Sequence, residues 1–338
     1  MTKLNTIGID LAKQVFQVHV NSSTGKKLIS KKLKRHQLLD FLRQQPTALV
    51  AMEACSGAHY WGRSIKALGH KVRVIHPTYV KPFVQLHKND QRDAQAIAEA
   101  AVRPNIPDVA LKSQEQLDLQ SIHRVRDRLV KEKTAIGNEI RGILMESGVV
   151  ISRGHGALKE QVTLLLEDAE NGLSLRCRRL INDLMAQWYD RESRVIQFDR
   201  ELQEIVKHSE SGQRLQSIPG IGAVNATLLL SLAGDASHFK SARCFSAYLG
   251  LVPKQHASGG KEQLQGISKH GNKHARRQLV HGARSAYNAL KKKPDDTRLG
   301  QWLQRMEGKH PNKIIVALAN KLARIVWAVL TKKVVYQA

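Results

Sequence analysis

The sequence predicts an α/β N-terminal part built on a mixed sheet, followed by an all-α remainder. Three observations predict it. Residues 1–80 alternate short apolar runs with helical patterns, strands first and then strand and helix in turn. Prolines at 77 and 82, and again at 104 and 107, then punctuate the chain. Beyond residue 113 the apolar residues recur at steps of three, four or seven.

The elements follow in order. Residues 6–12 form a short apolar strand carrying Asp10, and residues 13–20 alternate as a second strand. A Ser22-Ser23-Thr24-Gly25 turn leads to a third strand over 26–33. A helix covers 38–44, an apolar run over 47–53 ends on Glu53, a helix covers 57–68, and 71–75 is a further strand. A helix then starts near residue 90, with Asn89 or Asp90 as its cap and alanines 94, 96, 98, 100 and 101 as strong helix formers. Asp90 and Asp93, three apart, stand on one helical face.

The remainder reads as helices. Ile122, Val125, Leu129, Ile136, Ile140 and Ile143 form one stripe of a long helix. Glycines and charges over 148–175 suggest a turn-back, and Leu184, Trp188, Val195, Phe198, Leu202 and Ile205 mark a second long helix. The two would pair as an antiparallel hairpin or coiled coil, within a chain or across a dimer; an ordinary bundle core has the same pattern. Ile218-Pro219-Gly220-Ile221-Gly222 is a tight turn opening a helix over 223–233. It resembles the turn of helix-hairpin-helix modules, in which backbone N–H groups, here at Gly220 and Gly222, meet a phosphate. A packing turn between two helices fits equally. Residues 239–251 read as helical, and Pro311 opens a last helix whose apolar face folds onto the preceding domain. The divisions expected are 1–108, 113–210 and 211–338.

Composition narrows the function. The 338 residues carry 54 Lys and Arg against 29 Asp and Glu, a net charge of +25. The commonest polyanion for such a chain is nucleic acid. Cys55, Cys177 and Cys244 are far apart and form neither a disulfide framework nor a zinc ribbon, which fits a reducing cytoplasm. The N-terminus lacks the apolar run of a signal peptide, and no stretch reads as long enough to span a bilayer. No membrane partner is expected, and the location expected is a bacterial cytoplasm in association with the nucleoid.

The acids stand out against that basic background. Residues 1–110 hold 17 Lys or Arg but only seven Asp or Glu. Asp10 and Glu53 each close a buried-looking strand, where ligands gather in open α/β sheets. Asp90 and Asp93 repel each other on one helix face, which a pair of divalent cations would reward. Each alone fits a solvated terminus, and the helical pair alone fits the helix dipole. Together, in a basic domain, the four favour a metal site for phosphoryl transfer.

The second candidate is Lys254 to Lys261, with Ser258 and Gly259 in a Ser-Gly pair, followed by Gly266 to Arg277. Residues 251–294 carry ten Lys or Arg, one Glu and four His. Glycines admit a close backbone and cations surround a hydroxyl, as a serine attacking a phosphodiester needs. On pattern alone it is a phosphate-binding loop or, more commonly, a surface turn. Lys254, Lys261, Lys269, Lys273, Arg276 and Arg277 are the candidate nucleic-acid contacts, and Ser268 is a second candidate hydroxyl. His270 and His274 have no partner acid or cysteine in the pattern, so zinc is discounted.

Gly8-Ile9-Asp10-Leu11-Ala12-Lys13, Met52-Glu53-Ala54-Cys55-Ser56-Gly57 and Lys88 to Ala96 resemble the Asp-Glu-Asp-Asp signature of transposases of the insertion-sequence 110 family. The resemblance continues through Ile218 to Arg277. It implies a RuvC-like, ribonuclease-H-fold catalytic domain over 1–108, a coiled coil that assembles dimers and holds a guide RNA, and a C-terminal transposase domain. It also implies catalysis by Asp10, Glu53, Asp90 and Asp93 holding Mg²⁺, as two ions with Mn²⁺ as a substitute, and by Ser258 as nucleophile. The partners implied are donor and target DNA, a noncoding guide RNA and further copies of the chain, as a dimer or tetramer, with one protomer's serine meeting another's acids. Two other readings remain: a Holliday-junction-resolvase-like endonuclease using water, and a non-catalytic nucleic-acid-binding protein.

Overall fold

A computed structural model of the chain describes residues 4–84, 90–258, 261–292 and 297–337. The chain divides into two compact units, Met1–Ser113 and Gln114–Ala338.

The first unit is a five-stranded mixed sheet between helices. Its strands are β1 (Thr6–Asp10), β2 (Val15–Asn21), β3 (Lys27–Lys34), β4 (Leu49–Glu53) and β5 (Lys71–Ile75), in the order β3-β2-β1-β4-β5. The hairpin-linked β1, β2 and β3 pair antiparallel, while β1, β4 and β5 run parallel. This is the arrangement of a ribonuclease-H-like domain. Successive side chains alternate between the sheet's faces. Ile7, Ile9, Phe16, Val18, Val50 and Met52 point to one face, where α1 (Leu38–Arg43) and α2 (Ala58–Ala67) bring Phe41, Leu42, Trp61 and Ile65. Gly8, Asp10, Ala51 and Glu53 point to the other. There α4 (Asp90–Ala101) packs over β1, β2 and β4, burying Ala96, Ile97, Ala100 and Ala101 against Ala51 and Ile75. Prolines 77 and 82 do not simply break the chain: Pro77 opens the short α3 (Pro77–Val80), capped by the His76 side chain. Asn89, the alternative cap for α4, lies outside the described residues.

The second unit is largely helical. The long pair expected is α5 (Gln114–Glu146) and α7 (Leu175–Lys207), but the turn-back between them holds a third helix, α6 (His155–Glu167). Ile136, Ile140 and Leu144 of α5 pack with Leu158 and Val162 of α6 and with Ile181, Met185 and Trp188 of α7. Val125, assigned to the apolar stripe, is exposed, and the buried positions of α5 include His123 and Lys133.

Beyond α7 come α8 (Glu210–Gln216), α9 (Ala223–Ala233) and α10 (Ala242–Tyr248). Then follow the strands β6 (Pro253–Ser258) and β7 (Lys261–Ile267), α11 (Lys273–Lys292), α12 (Arg298–Gln304) and α13 (Pro311–Lys332). α13 is the one described helix long and apolar enough to cross a membrane, contrary to the reading that no stretch is. Its apolar face is spent inside the unit: Ile315, Leu318, Leu322, Val326 and Leu330 join the core with Leu228, Leu232, Phe245 and Leu279.

Candidate active site

The carboxylates gather because a glycine lets α4 lie directly on β1. A Cβ built on Gly8 would sit 2.1 Å from the Ala94 carbonyl oxygen and 2.7 Å from the Ala98 nitrogen, so only glycine admits the helix at this depth. Asp10 lies two residues beyond Gly8 on the same face, and Asp93 precedes Ala94 on the helix. Gly8 is registered against Ala51, so Glu53, two residues on, ends β4 on that face as well. Asp10, Glu53 and Asp93 are all half-buried. Burial, then the charges of Asp10 and Asp93, push the Glu53 carboxyl above its ordinary pKa. Two further acids thus make themselves felt at Glu53. Asp90 is the first residue of α4, and its side chain lies outside the described residues.

Two features steady this arrangement. Arg73 of β5 ties down the C-terminal end of α4. Its guanidinium donates to the carbonyls of Ala101 and of Ile106 (2.7 Å), and pairs with Asp108 at 2.6 Å. His19 of β2 lies buried between sheet and helix and bonds Asn21 at 2.9 Å; burial holds its imidazole below the usual range. Cys55, just past Glu53, is exposed, and burial of its sulfur environment together with the Glu53 and Asp10 charges raises its thiol pKa.

The donor set fits a hard divalent cation. It offers carboxylate oxygens only, and a cation would offset both the burial and the neighbouring charges that raise Glu53. Among the described residues no three of His, Cys, Asp or Glu are gathered tightly enough to hold an ion unaided. Asp90 stands outside that set, and phosphate oxygens would complete such a site in a phosphoryl-transfer enzyme.

Ser258 lies in the second unit. It ends β6 and is paired with Lys261, the first residue of β7, so the expected loop is the tip of a hairpin. Gly259 lies outside the described residues. The side chains of Ser258 and Lys261 do as well. Ser268 follows β7, half-buried, its amide donating to the Val252 carbonyl at 2.8 Å. Lys254, Lys269 and Lys273 are exposed and make no ion pair among the described residues. The two arginines are engaged within the unit. Arg276 donates to the Leu249 carbonyl at 3.2 Å, and Arg277 is paired with Asp127 of α5. Gly220 has a packing reason of its own, since a Cβ there would meet the Gly282 carbonyl at 2.3 Å. Gly222, by contrast, is exposed, with open space around its Cα.

The fold, with acids closing its two central parallel strands β1 and β4, is that of an RNase-H-like enzyme. Comparison with known proteins makes that specific. Residues 7–148 match a family profile described as "Transposase", of the DEDD type found in IS110 elements, and residues 212–297 match "Transposase IS116/IS110/IS902 family". The chain is 43% identical to a "Probable family 20 transposase" of Pseudomonas aeruginosa, over 99% of both chains. It is 41% identical to the "Transposase for insertion sequence element IS1111A" of Coxiella burnetii, over all of this chain and 92% of that one. A "Pilin gene-inverting protein" of Moraxella lacunata is 26% identical over 77% of this chain and 73% of its own. The chain belongs to the IS110/IS116 family of insertion-sequence transposases. It is an enzyme that acts on DNA, cleaving and rejoining it, with the divalent-metal dependence of the DEDD type.

Proposed function

We propose that the chain moves its insertion sequence by serine-mediated strand exchange, directed by a noncoding RNA transcribed from the element. The observation that carries this reading is that Asp10, Glu53 and Asp93 share one face at one end of the sheet, where burial first, and then the charges of Asp10 and Asp93, raise Glu53. In a chain of net charge +25, a half-buried cluster of acids calls for a cation.

Asp10, Glu53, Asp90 and Asp93 would hold Mg²⁺, as two ions, with Mn²⁺ as a substitute. Bound there, the ions supply positive charge at the scissile phosphate and ease loss of the proton from the attacking hydroxyl. The Ser258 oxygen forms a bond to phosphorus as the phosphorus–deoxyribose oxygen bond breaks. The hydroxyl proton leaves the serine, and the departing deoxyribose oxygen takes one up. The product is a serine–DNA ester and a free hydroxyl, whose reversal on a new end rejoins the strand. Lys254, Lys261, Lys269 and Lys273 offer cations to the phosphates around it, and Gly222 offers an unobstructed helix start. One protomer's serine would serve another protomer's acids, so the working form is a dimer or tetramer. The pilin-inverting relative supports recombination rather than simple hydrolysis.

The test is strand exchange with the RNA, both DNAs and Mg²⁺. Ser258→Ala is expected to abolish exchange and the covalent adduct. Asp10→Asn is expected to abolish exchange while leaving RNA binding intact. Exchange surviving in Ser258→Ala would refute the serine assignment, and cleavage without any adduct would favour the water-using endonuclease. Activity indifferent to divalent metal would remove the carboxylate site. The RNA is tested by sequencing what co-purifies with the chain from cells.

A further inference from the structure

A cavity at the start of α9 has a chemistry that neither the acids nor the serine hairpin explains. It measures about 370 Å³ and is lined by Gln203 of α7, Gln216 of α8, Gly222 and Asn225 at the head of α9, and Gln278 and His281 of α11. Four carboxamides thus converge, each offering a donor and an acceptor side by side. The side chains of Gln203, Gln216, Gln278 and His281 make no hydrogen bond with another described residue, and all but the half-buried Gln278 are exposed to solvent. Asn225 gives one amide proton to the Gly220 carbonyl at 3.3 Å. The cavity also has an acid, Asp199, but Arg126 holds it through bonds of 2.6 and 3.1 Å. Gly222 leaves α9 without a side-chain cap, so backbone N–H groups remain on that wall.

Size and polarity point the same way. The volume is at the small end of ligand cavities, which span about 300–1,000 Å³, and suits one nucleotide rather than a duplex. Carboxamides are the side chains that read the adenine edge through paired bonds. A neighbouring cavity of about 330 Å³ shares Gln278 and His281 and adds Lys131 and Arg277, both paired with Asp127, and Arg126, which holds Asp199. A strand crossing from one cavity to the other would meet positive charge first and hydrogen-bonding amides second.

We infer that the first cavity takes a single unstacked nucleobase, adenine in preference, from a single strand of DNA or RNA. The inference rests on the reading of the chain as a nucleic-acid recombinase and adds a place where it reads sequence directly. The full chain is titrated with short single strands, in a DNA arm and an RNA arm. Within each arm the strands are identical except for one central adenine, cytosine or 2-aminopurine. The arm that responds identifies which strand supplies the base. The adenine strand is expected to bind about tenfold tighter than the cytosine strand in at least one arm. There 2-aminopurine fluorescence should rise as the base leaves its stack. Both effects should vanish in Gln203→Ala/Gln278→Ala, while its melting temperature and its salt dependence of binding stay those of the parent. A chain that binds both arms with no base preference, or a variant that keeps the preference, overturns this inference alone. A chain that binds no nucleic acid overturns the proposed function with it.

Discussion

Gly8 is the residue on which the acid site turns. Its missing Cβ sets the depth of α4 on β1, and that depth brings Asp93 to Asp10 and Glu53. Gly8→Ala should therefore force the helix outward and cost about 1–3 kcal/mol of stability. DNA cleavage should be lost even where the chain still folds. Denaturant unfolding and a cleavage assay on the same preparation check this; parental stability with parental activity would show that the helix can shift freely. The acids were legible in the sequence because a carboxylate closing an apolar run is costly without compensation. Gly8 was visible only as part of a motif. What the glycine admits is a helix over eighty residues away, and no local pattern records it.

At the scale of elements, the strands β1 to β5 could be read because each is a short apolar run bounded by turn residues. The β6–β7 hairpin could not. Lys254, Gln255 and His256, and Gln263, Leu264 and Gln265 opposite, are all exposed and, Leu264 apart, polar, with no buried alternation to betray them. The Gly-Gly pair between the strands was the one available signal. The helix α6 was hidden for the opposite reason, since glycines and charges flank it and only Leu158 and Val162 of its residues are buried. His123 was also missed, for it stands where an apolar residue belongs. It is 2% exposed and joins α5 to α9 through a 3.0 Å bond from its Nε2 to the Thr227 hydroxyl. Burial first, then the neighbouring His274 and Arg126, lower its pKa from 6.5 to about 4. The unfolded chain thus binds a proton that the folded one refuses between about pH 4 and 6.5. Stability should be complete above that window and fall by about 3 kcal/mol as pH drops through it. His123→Gln should flatten the dependence; an unchanged slope in urea unfolding across this range would show that the histidine is not its source. In the core of α5, α6 and α7, Trp188 is fully buried, with Lys133 and Lys159 over its ring at 5.2 and 5.3 Å. Trp188→Ala should cost about 3–5 kcal/mol, read as a lower denaturant midpoint.

For the whole molecule, the chemistry is divided between two units. Both units are basic, but the sheet unit carries Asp10, Glu53, Asp90 and Asp93, and the helical unit carries Ser258 with Lys254, Lys269 and Lys273. A chain of net charge +25 should bind nucleic acid through many phosphates, with affinity falling steeply and linearly in the logarithm of salt concentration. Asp10→Asn should leave that slope unchanged, which separates grip from chemistry. The most direct measurement is to trap the protein on a target strand bearing a labelled scissile phosphate, in the presence of RNA and Mg²⁺, and to resolve the products under denaturing conditions. The expected result is labelled DNA migrating with the protein, present in the parent chain and absent in both Ser258→Ala and Asp10→Asn. Label that stays on the protein in Ser258→Ala, or cut DNA that never joins the protein at all, would contradict it.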